Sequence, residues 1–243
     1  MFIFHRMAVF LGLFFCGLWT LLMTTPLILL RPFVSKIGPS IQRLWGWGWC
    51  QCLGIRITIL HSERIPSSGG FVIAPNHASL FDILVVASLP MHFRWISKAE
   101  VGRIPFVGGA MRSLGAYFLL RGGSPGDLSK MKQVEEGLRA GFSVLIFPEG
   151  TRSPNGALLP FKKGAVRTAQ NAKAPIVPVG LSGTFEIAPK GKIPVKWGHR
   201  VIVNIGEPIF PGDSMDSALA LSVLRDQIQS LVDEGRGLFP KYK

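Results

Sequence analysis

The chain has 243 residues, of which 48% are hydrophobic, and carries a net charge of +13 with a pI near 10.2. This length allows one sizeable domain plus an anchor and excludes two ordinary domains beside a membrane segment. A strongly basic chain implies an anionic partner: nucleic acid, lipid headgroups or an acidic cosubstrate. An apolar N-terminus favours the lipid. The basic residues are scattered and accompany no nucleic-acid module, so no nucleic-acid partner is predicted.

Residues 1–55 are predicted to form a membrane anchor of one or two helices. From Met7 to Leu30 no side chain is charged, and at 1.5 Å per residue this run reaches about 36 Å, enough to cross a hydrocarbon core. The segment Ile41 to Ile55 is apolar, carries three tryptophans beside Arg43, and suits a membrane interface. A signal peptide and an amphipathic core helix are the alternatives to these two readings.

The orientation of the anchor follows from its flanking charges. Two adjacent apolar segments either span the bilayer or form a hairpin that enters one leaflet, and hydropathy does not separate the two. Basic residues after the first segment outnumber the single Arg6 before it, which favours an inner or cytoplasmic membrane with the catalytic domain facing the cytoplasm.

Residues 56–243 are predicted to form one α/β catalytic domain, because short β-rich runs alternate with helical patterns. Strands are predicted at Arg56 to Leu60, Phe71 to Ala74, Ser143 to Phe147, Ile176 to Gly180 and Arg200 to Ile205. Helices are predicted at Phe81 to Ser88, Gly126 to Ala140, Lys162 to Ala172 and Ser217 to Glu234. A sheet flanked by helices places functional loops at the carboxyl ends of its strands.

Several chemistries are excluded by what the sequence lacks. All three cysteines lie within the first 52 residues, which excludes a disulfide framework or a cysteine nucleophile in the catalytic domain. No group of His or Cys has the spacing of a metal site, so no metal is predicted. There is no Gly-x-Ser-x-Gly elbow for a serine nucleophile and no phosphate-binding loop for nucleotide hydrolysis.

Two polar segments follow predicted strands. The first, Asn76 to Asp82, places His77 and Asp82 five positions apart directly after an apolar run. An imidazole is the usual general base at neutral pH, and a carboxylate on its other ring nitrogen orients it and stabilises its cation. The second segment, Pro148 to Ser153, is a turn-forming loop with charges of both signs.

These two blocks, His77 to Asp82 and Phe147 to Arg152, resemble those of the glycerolipid acyltransferases, in particular the 1-acylglycerol-3-phosphate O-acyltransferase family. The stretches Gly115 to Arg121 and Ile176 to Gly180 are similar to two further blocks of that family, in the same order. One departure is visible, because the family has Asp where this chain has Leu120. The resemblance covers roughly residues 70–210 and implies a mixed sheet flanked by helices.

The resemblance implies a role for each matched position. His77 is expected to be the catalytic base and Asp82 its partner, although an isolated histidine is more often structural. Glu149, Gly150, Thr151 and Arg152 are expected to bind the acceptor. Arg121 and Lys98 are expected to add positive charge near the phosphate, although a surface lysine explains Lys98 equally well. Apolar residues from Met111 to Leu120 either line an acyl groove or pack in the core.

The predicted reaction moves a fatty acyl group from acyl-CoA or acyl-carrier protein to the sn-2 hydroxyl of 1-acylglycerol-3-phosphate, giving phosphatidate. The acyl donor is a cosubstrate, no other cofactor is implied, and the partners are lysophosphatidate, membrane lipids and, if it is the donor, acyl-carrier protein. Three alternatives remain: another lysolipid acceptor, for which Leu120 is a modest reason; a noncatalytic lipid-binding protein; and a hydrolase in which the base activates water.

Overall fold

The structure is a computed structural model that describes residues 2–120, 125–189, 191, 197–212 and 215–239, the side chains of 2–6 and 8 excepted. Two helices open the chain, α1 (Phe2–Leu29) and α2 (Val34–Cys52), joined by one 3-10 turn at Arg31–Phe33. Within α1, Val9–Leu29 has the length and apolar composition needed to cross a membrane, properties that signal sequences and core helices share. It is the one such helix in the part of the chain described.

The catalytic part is built on a seven-stranded mixed sheet. Its strands are β1 (Arg56–Leu60), β2 (Val72–Pro75), β3 (Arg94–Lys98), β4 (Tyr117–Leu119), β5 (Val144–Leu145), β6 (Ile176–Ser182) and β7 (Arg200–Ile205). The strand order is β1-β7-β6-β2-β5-β3-β4. Every pair is parallel except β6 with β7. The carboxyl ends of β6, β2, β5, β3 and β4 therefore meet at one edge.

Helices cover both faces of the sheet. They are α3 (Phe81–Ala87), α4 (Val107–Ser113), α5 (Pro125–Arg139), α6 (Gly164–Ala172), α7 (Thr184–Ile187) and α8 (Ser217–Gly237). One core cluster joins the sheet to α1, α2 and α3, with Cys16 and Cys50 fully buried in it. A second cluster joins the other face to α5, α6 and α8. The two N-terminal helices thus share a core with the catalytic part.

The predicted α/β class and mixed sheet are confirmed, with two strands and two helices added. The sequence patterns missed β3, which carries a charged residue at each end, and β4, which has only three residues. They also missed α4 and α7, which have seven and four residues and are too short for a clear 3.6-residue period. The predicted strand from Ser143 to Phe147 is reduced to two residues, because Ile146 and Phe147 already lead into the polar loop.

Candidate active site

The sheet register brings the two polar segments together. Strands β2 and β5 are neighbours and run parallel, with Val72 opposite Val144 and Ile73 opposite Leu145. The segments that leave their carboxyl ends therefore start side by side, although about 70 residues separate them in the sequence. Asn76 fixes the first segment on its other side, since its amide exchanges two hydrogen bonds with the main chain of Leu181 on β6.

One carboxylate oxygen holds the turn between His77 and Asp82. Oδ2 of Asp82 accepts hydrogen bonds from the main-chain N–H groups of Ala78 and Ser79, both at 2.7 Å, and lies 2.8 Å from Nδ1 of His77. The Asp82 side chain is fully buried, and its Oδ1 has no hydrogen-bond partner among the described residues. The Asp82 side chain thus closes the short turn before α3. This turn brings the imidazole of His77, five residues earlier, into contact with the carboxylate.

This contact assigns the tautomer of the imidazole. A carboxylate only accepts hydrogen bonds, so Nδ1 of His77 carries the proton and Nε2 presents its lone pair. Within the described residues Nε2 makes no hydrogen bond, and the side chain is 13% exposed. The ring stacks on Phe147, with centroids 3.9 Å apart and planes at 20°. His77 is therefore oriented from two sides with its basic nitrogen available to a substrate.

Glu149 joins the two segments through the main chain. Its Oε1 accepts from the N–H of His77 at 2.6 Å and its Oε2 from the N–H of Leu159 at 2.9 Å. The side chain is 2% exposed, and this burial raises the pKa of the carboxyl, against the lowering effect of its two hydrogen bonds. The carbonyl of His77 in turn accepts from the N–H of Ser153 at 2.8 Å. The main-chain N–H and the main-chain carbonyl of His77 are thus both held by the second segment.

Gly150, Thr151 and Arg152 of the second segment form a basic rim together with Lys162, which packs against Gly150. Gly150 has a φ of +68°, and a Cβ there would lie 3.0 Å from Cε of Lys162, so the lysine stem runs along the glycine. Thr151 is exposed and Arg152 half-buried. Lys162 was not selected from the sequence, because it lies in no matched block and only the fold returns it to Gly150.

Of the two further cations predicted for the site, Lys98 lies in the described part of the chain and Arg121 does not. Lys98 is exposed at the carboxyl end of β3, at the same edge as His77 but beyond β5, and no contact joins the two among the described residues. Arg121 lies outside the described residues. Beside it, the main-chain N–H of Leu120 donates to Oδ1 of Asp127 at 2.7 Å. A buried carboxylate from α5 therefore lies next to the position where the family has its own Asp.

Comparisons with known proteins show the family of this chain. The Acyltransferase family profile matches residues 56–182, just over half of the chain and the part that holds both segments. The chain belongs to the acyltransferase family. It is 33% identical to the 1-acyl-sn-glycerol-3-phosphate acyltransferase of Bacillus subtilis, over 65% of this chain and 75% of that one.

Longer relatives and a solved structure extend the match of this acyltransferase. The chloroplastic 1-acyl-sn-glycerol-3-phosphate acyltransferase of Arabidopsis thaliana is 35% identical over 82% of this chain, which spans 58% of that relative's length. The crystal structure of the 1-acyl-sn-glycerophosphate acyltransferase from Thermotoga maritima superposes with a TM-score of 0.82 at 24% identity, covering 98% of this chain and 99% of that one. It therefore has the same fold, N-terminal helices included.

An apolar cavity of about 270 Å³ lies beside the segment Asn76 to Asp82. Leu80, three residues after His77, forms part of its wall, and Met111 of α4 and Leu114 directly after α4 form another part. The cavity continues between α1 and α2 past Leu27 and Trp45. Residues that the sequence assigned either to an acyl groove or to the core thus include two that line a cavity. In the part of the chain described, no group of three or more His, Cys, Asp or Glu could hold a metal ion.

Proposed function

We propose that this acyltransferase moves a fatty acyl group from acyl-CoA or acyl-carrier protein to the sn-2 hydroxyl of 1-acylglycerol-3-phosphate, giving phosphatidate. The observation that carries the proposal is the 2.8 Å contact between Nδ1 of His77 and Oδ2 of Asp82, which leaves Nε2 as the base. The names of the relatives from Bacillus subtilis and Arabidopsis thaliana support the same acceptor.

The reaction moves one proton from the acceptor hydroxyl to His77 and then from His77 to the departing thiolate. Nε2 of His77 takes the proton of the sn-2 hydroxyl as its oxygen attacks the thioester carbonyl, and the ionised Asp82 stabilises the imidazolium. The tetrahedral intermediate then collapses to the new ester and expels the thiolate. The thiolate takes the proton from the His77 imidazolium, which gives the free thiol and regenerates the base. No acyl-enzyme is required, in keeping with the absence of a serine elbow.

The charges around the site favour a phosphate-bearing acceptor. Arg152 lies on the segment beside His77, and Lys162 packs against Gly150 of that segment. They provide the cations that a phosphate monoester requires. A carboxylate beside that phosphate would oppose binding, but both oxygens of Glu149 are turned inward to main-chain N–H groups. In this proposal Glu149 positions the base, and the basic side chains face the acceptor.

The apolar cavity supports an acyl-chain partner for the same site. Its wall includes Leu80 of the catalytic segment, so a chain that fills the cavity would have its reactive end close to His77. A lining dominated by apolar and aromatic side chains suits a fatty acyl group. Cofactors other than the acyl donor have no part in the proposed step.

We further propose that the protein lies on one face of the membrane. α1 is bound along its length: Thr20 accepts hydrogen bonds from the indole N–H groups of Trp45 and Trp49, at 3.1 and 2.9 Å. Gly12 packs against the end of α2, and Ile28 against α4. The outer side of α1 exposes large apolar side chains, including Phe10, Phe14, Leu18, Leu22 and Leu29. A helix docked on the domain suits insertion into the near leaflet, at the cytoplasmic face.

The function is tested by identifying products from detergent-solubilised protein supplied with acyl-CoA or acyl-carrier protein. The acceptors are lysophosphatidate, lysophosphatidylcholine and the phosphate-free monoacylglycerol. Phosphatidate formed only from the first is the expected result. Transfer to lysophosphatidylcholine in preference would change the acceptor, and release of free fatty acid would indicate a hydrolase.

A further inference from the structure

A second, larger groove of about 530 Å³ lies away from the catalytic segment. It runs between the start of α2 and the amino ends of three strands, with Arg94 opening β3, Ser143 preceding β5 and Gly115 preceding β4. His77 leaves a strand at the opposite edge. Because β3 has five residues, the two edges are separated by roughly 13 Å along the strand. The groove adjoins the apolar cavity, with which it shares Gln42 and Leu114, but its basic end lies at the amino edge of the sheet, away from His77.

The groove is basic. Three arginines and one histidine line it: Arg31, Arg94, Arg112 and His92. The guanidinium of Arg112 donates to the carbonyl of Gly102, so Arg31 and Arg94 are the arginines left for a ligand. No carboxylate lines it, and none of the three arginines forms an ion pair with an acid within the described part of the chain. Cations collected in a concave site without a counter-charge favour an anion. Arginine in particular suits phosphate oxygens, because its planar fork gives two parallel hydrogen bonds.

Arg94 is held in place before any ligand arrives. Its Nη1 donates to the hydroxyl of Tyr117 at 3.1 Å, and its guanidinium carbon lies 3.5 Å from the centroid of the Phe142 ring. Gly115 lies against it, since a Cβ at that position would be 3.0 Å from its Nε. These contacts use one of five N–H donors, so an oriented guanidinium with further donors is part of the groove wall.

The surroundings of the groove point to a lipid. Arg31 stands in the turn between α1 and α2, and its neighbours Leu29, Leu30 and Phe33 are 73%, 45% and 60% exposed. This apolar tip continues the exposed side of α1. Basic side chains directly beside membrane-inserting apolar residues lie at the depth of the lipid headgroups.

We propose that this groove binds the phosphate of an anionic phospholipid of the surrounding membrane, with Arg31 and Arg94 as its main contacts. The occupant is neither the acceptor nor the product in the active site. It is a headgroup that holds the turn between α1 and α2 at the bilayer surface. The shared chemistry is a phosphate ester, which a soluble phosphate ester also provides, and the test separates the two sources.

The test measures lipid affinity with the full chain in a non-ionic detergent, using calorimetry with dioctanoyl phosphatidylglycerol and dioctanoyl phosphatidylcholine. The wild-type protein is expected to bind the anionic lipid about tenfold more tightly than the zwitterionic one. Arg31→Gln and the double variant Arg31→Gln/Arg94→Lys are expected to lose about tenfold of that affinity. Glycerophosphoglycerol, the deacylated form of the anionic lipid, separates the sources when it is used as competitor: no displacement supports the intact lipid, and full displacement would overturn it in favour of a soluble phosphate ester.

The matched control is Arg225→Gln, which removes the same charge from an exposed position on α8, against the other face of the sheet. It is expected to bind both lipids as the wild type does. An equal loss in Arg225→Gln and Arg31→Gln would mean that general surface charge attracts the lipid and would overturn the proposal. So would equal binding of the two lipids by the wild type. Arg31 is exposed and Arg94→Lys keeps its charge, and a thermal unfolding scan of each variant checks the fold.

Discussion

At the scale of single residues, Asp82 has two roles that a substitution can separate. Its Oδ2 closes the turn through Ala78 and Ser79 and also receives the imidazole of His77. In Asp82→Asn a neutral oxygen still serves the two main-chain N–H groups, but the imidazolium loses its counter-charge. We expect kcat to fall by about 10²-fold or more while the unfolding temperature changes little. Asp233→Asn, on the exposed surface of α8, is the control.

A parallel fall in stability and activity would contradict this separation. It would mean that Asp82 acts only through the turn. The comparison therefore needs both the kinetic measurement and a thermal unfolding scan on the same preparations.

Glu149 gives a prediction with a defined pH dependence. Its pKa is raised by burial, so its contribution to the free energy of unfolding is fully present below the unfolded pKa and is lost as pH rises through the folded value. Glu149→Gln has no such titration. The difference in unfolding temperature, wild type minus variant, is expected to shrink over the pH range that starts at about 4.3, the usual pKa of a glutamate, and extends upward. A difference that grows over this range would contradict the raised pKa.

Residue patterns predicted the base and its partner but could not predict how they are held. His77 and Asp82 are close in sequence, so their contact depends on one local turn. The partners of Glu149 are the main-chain N–H groups of residues 77 and 159, which any residue type supplies, so no sequence signal marks them. For the same reason Glu149 was expected to contact the acceptor, and that role remains a prediction beside its observed one.

At the scale of elements, the turn at Gly150 connects the loop after β5 to the basic rim. Gly150 has a φ of +68° and lies against Lys162, whereas Gly69 has a φ of +82° with nothing near its missing Cβ. Replacing either by Ala costs roughly 1–2 kcal/mol from the left-handed backbone. Only Gly150→Ala also displaces Lys162, so only this variant is expected to raise the KM for lysophosphatidate. Unfolding and steady-state kinetics on both variants measure the two effects.

An unchanged KM in Gly150→Ala would contradict a role for Lys162 in acceptor binding. The basic rim would then have no part in acceptor binding. Gly69→Ala tests whether a general loss of stability produces the same kinetic change.

Elements with a clear period were predictable, and those defined by pairing were not. α5, α6 and α8 were placed within a few residues because each buries one side against the sheet. Strand β4 has three residues and exists because it pairs with β3, a non-local contact that a local pattern does not record. The position of β2 beside β5 has the same origin, although the placement of both loops at strand ends was predicted and is confirmed.

At the scale of the whole molecule, the packing of α1 predicts which side of the membrane its start occupies. If α1 is docked along the domain at Gly12, Thr20 and Ile28, as proposed, both of its ends lie on the same side of the membrane as the domain. A cysteine added ahead of Met1 is therefore expected to react with an impermeant maleimide from the same side as one introduced at Lys163, an exposed position beside α6. Labelling of sealed inverted and right-side-out vesicles makes the comparison. Reaction from opposite sides would mean that α1 spans the bilayer.

Hydropathy predicted the apolar segment but not its arrangement. The composition from Met7 to Leu30 is the same for a spanning and a docked helix. The hydrogen bonds of Trp45 and Trp49 with Thr20 favour the docked arrangement, and they depend on how α2 folds back. The division into residues 1–55 and 56–243 remains a prediction about function, since both parts share one core.

We propose that His77 is the general base of acyl transfer. The kcat of His77→Ala for phosphatidate formation tests this role most directly. The matched control is His61→Asn, which changes a histidine at the end of β1, at the opposite edge of the sheet. We expect a loss of about 10²–10⁴-fold in His77→Ala, with wild-type thermal unfolding and an unchanged control. Activity of His77→Ala within a few-fold of wild type would contradict it.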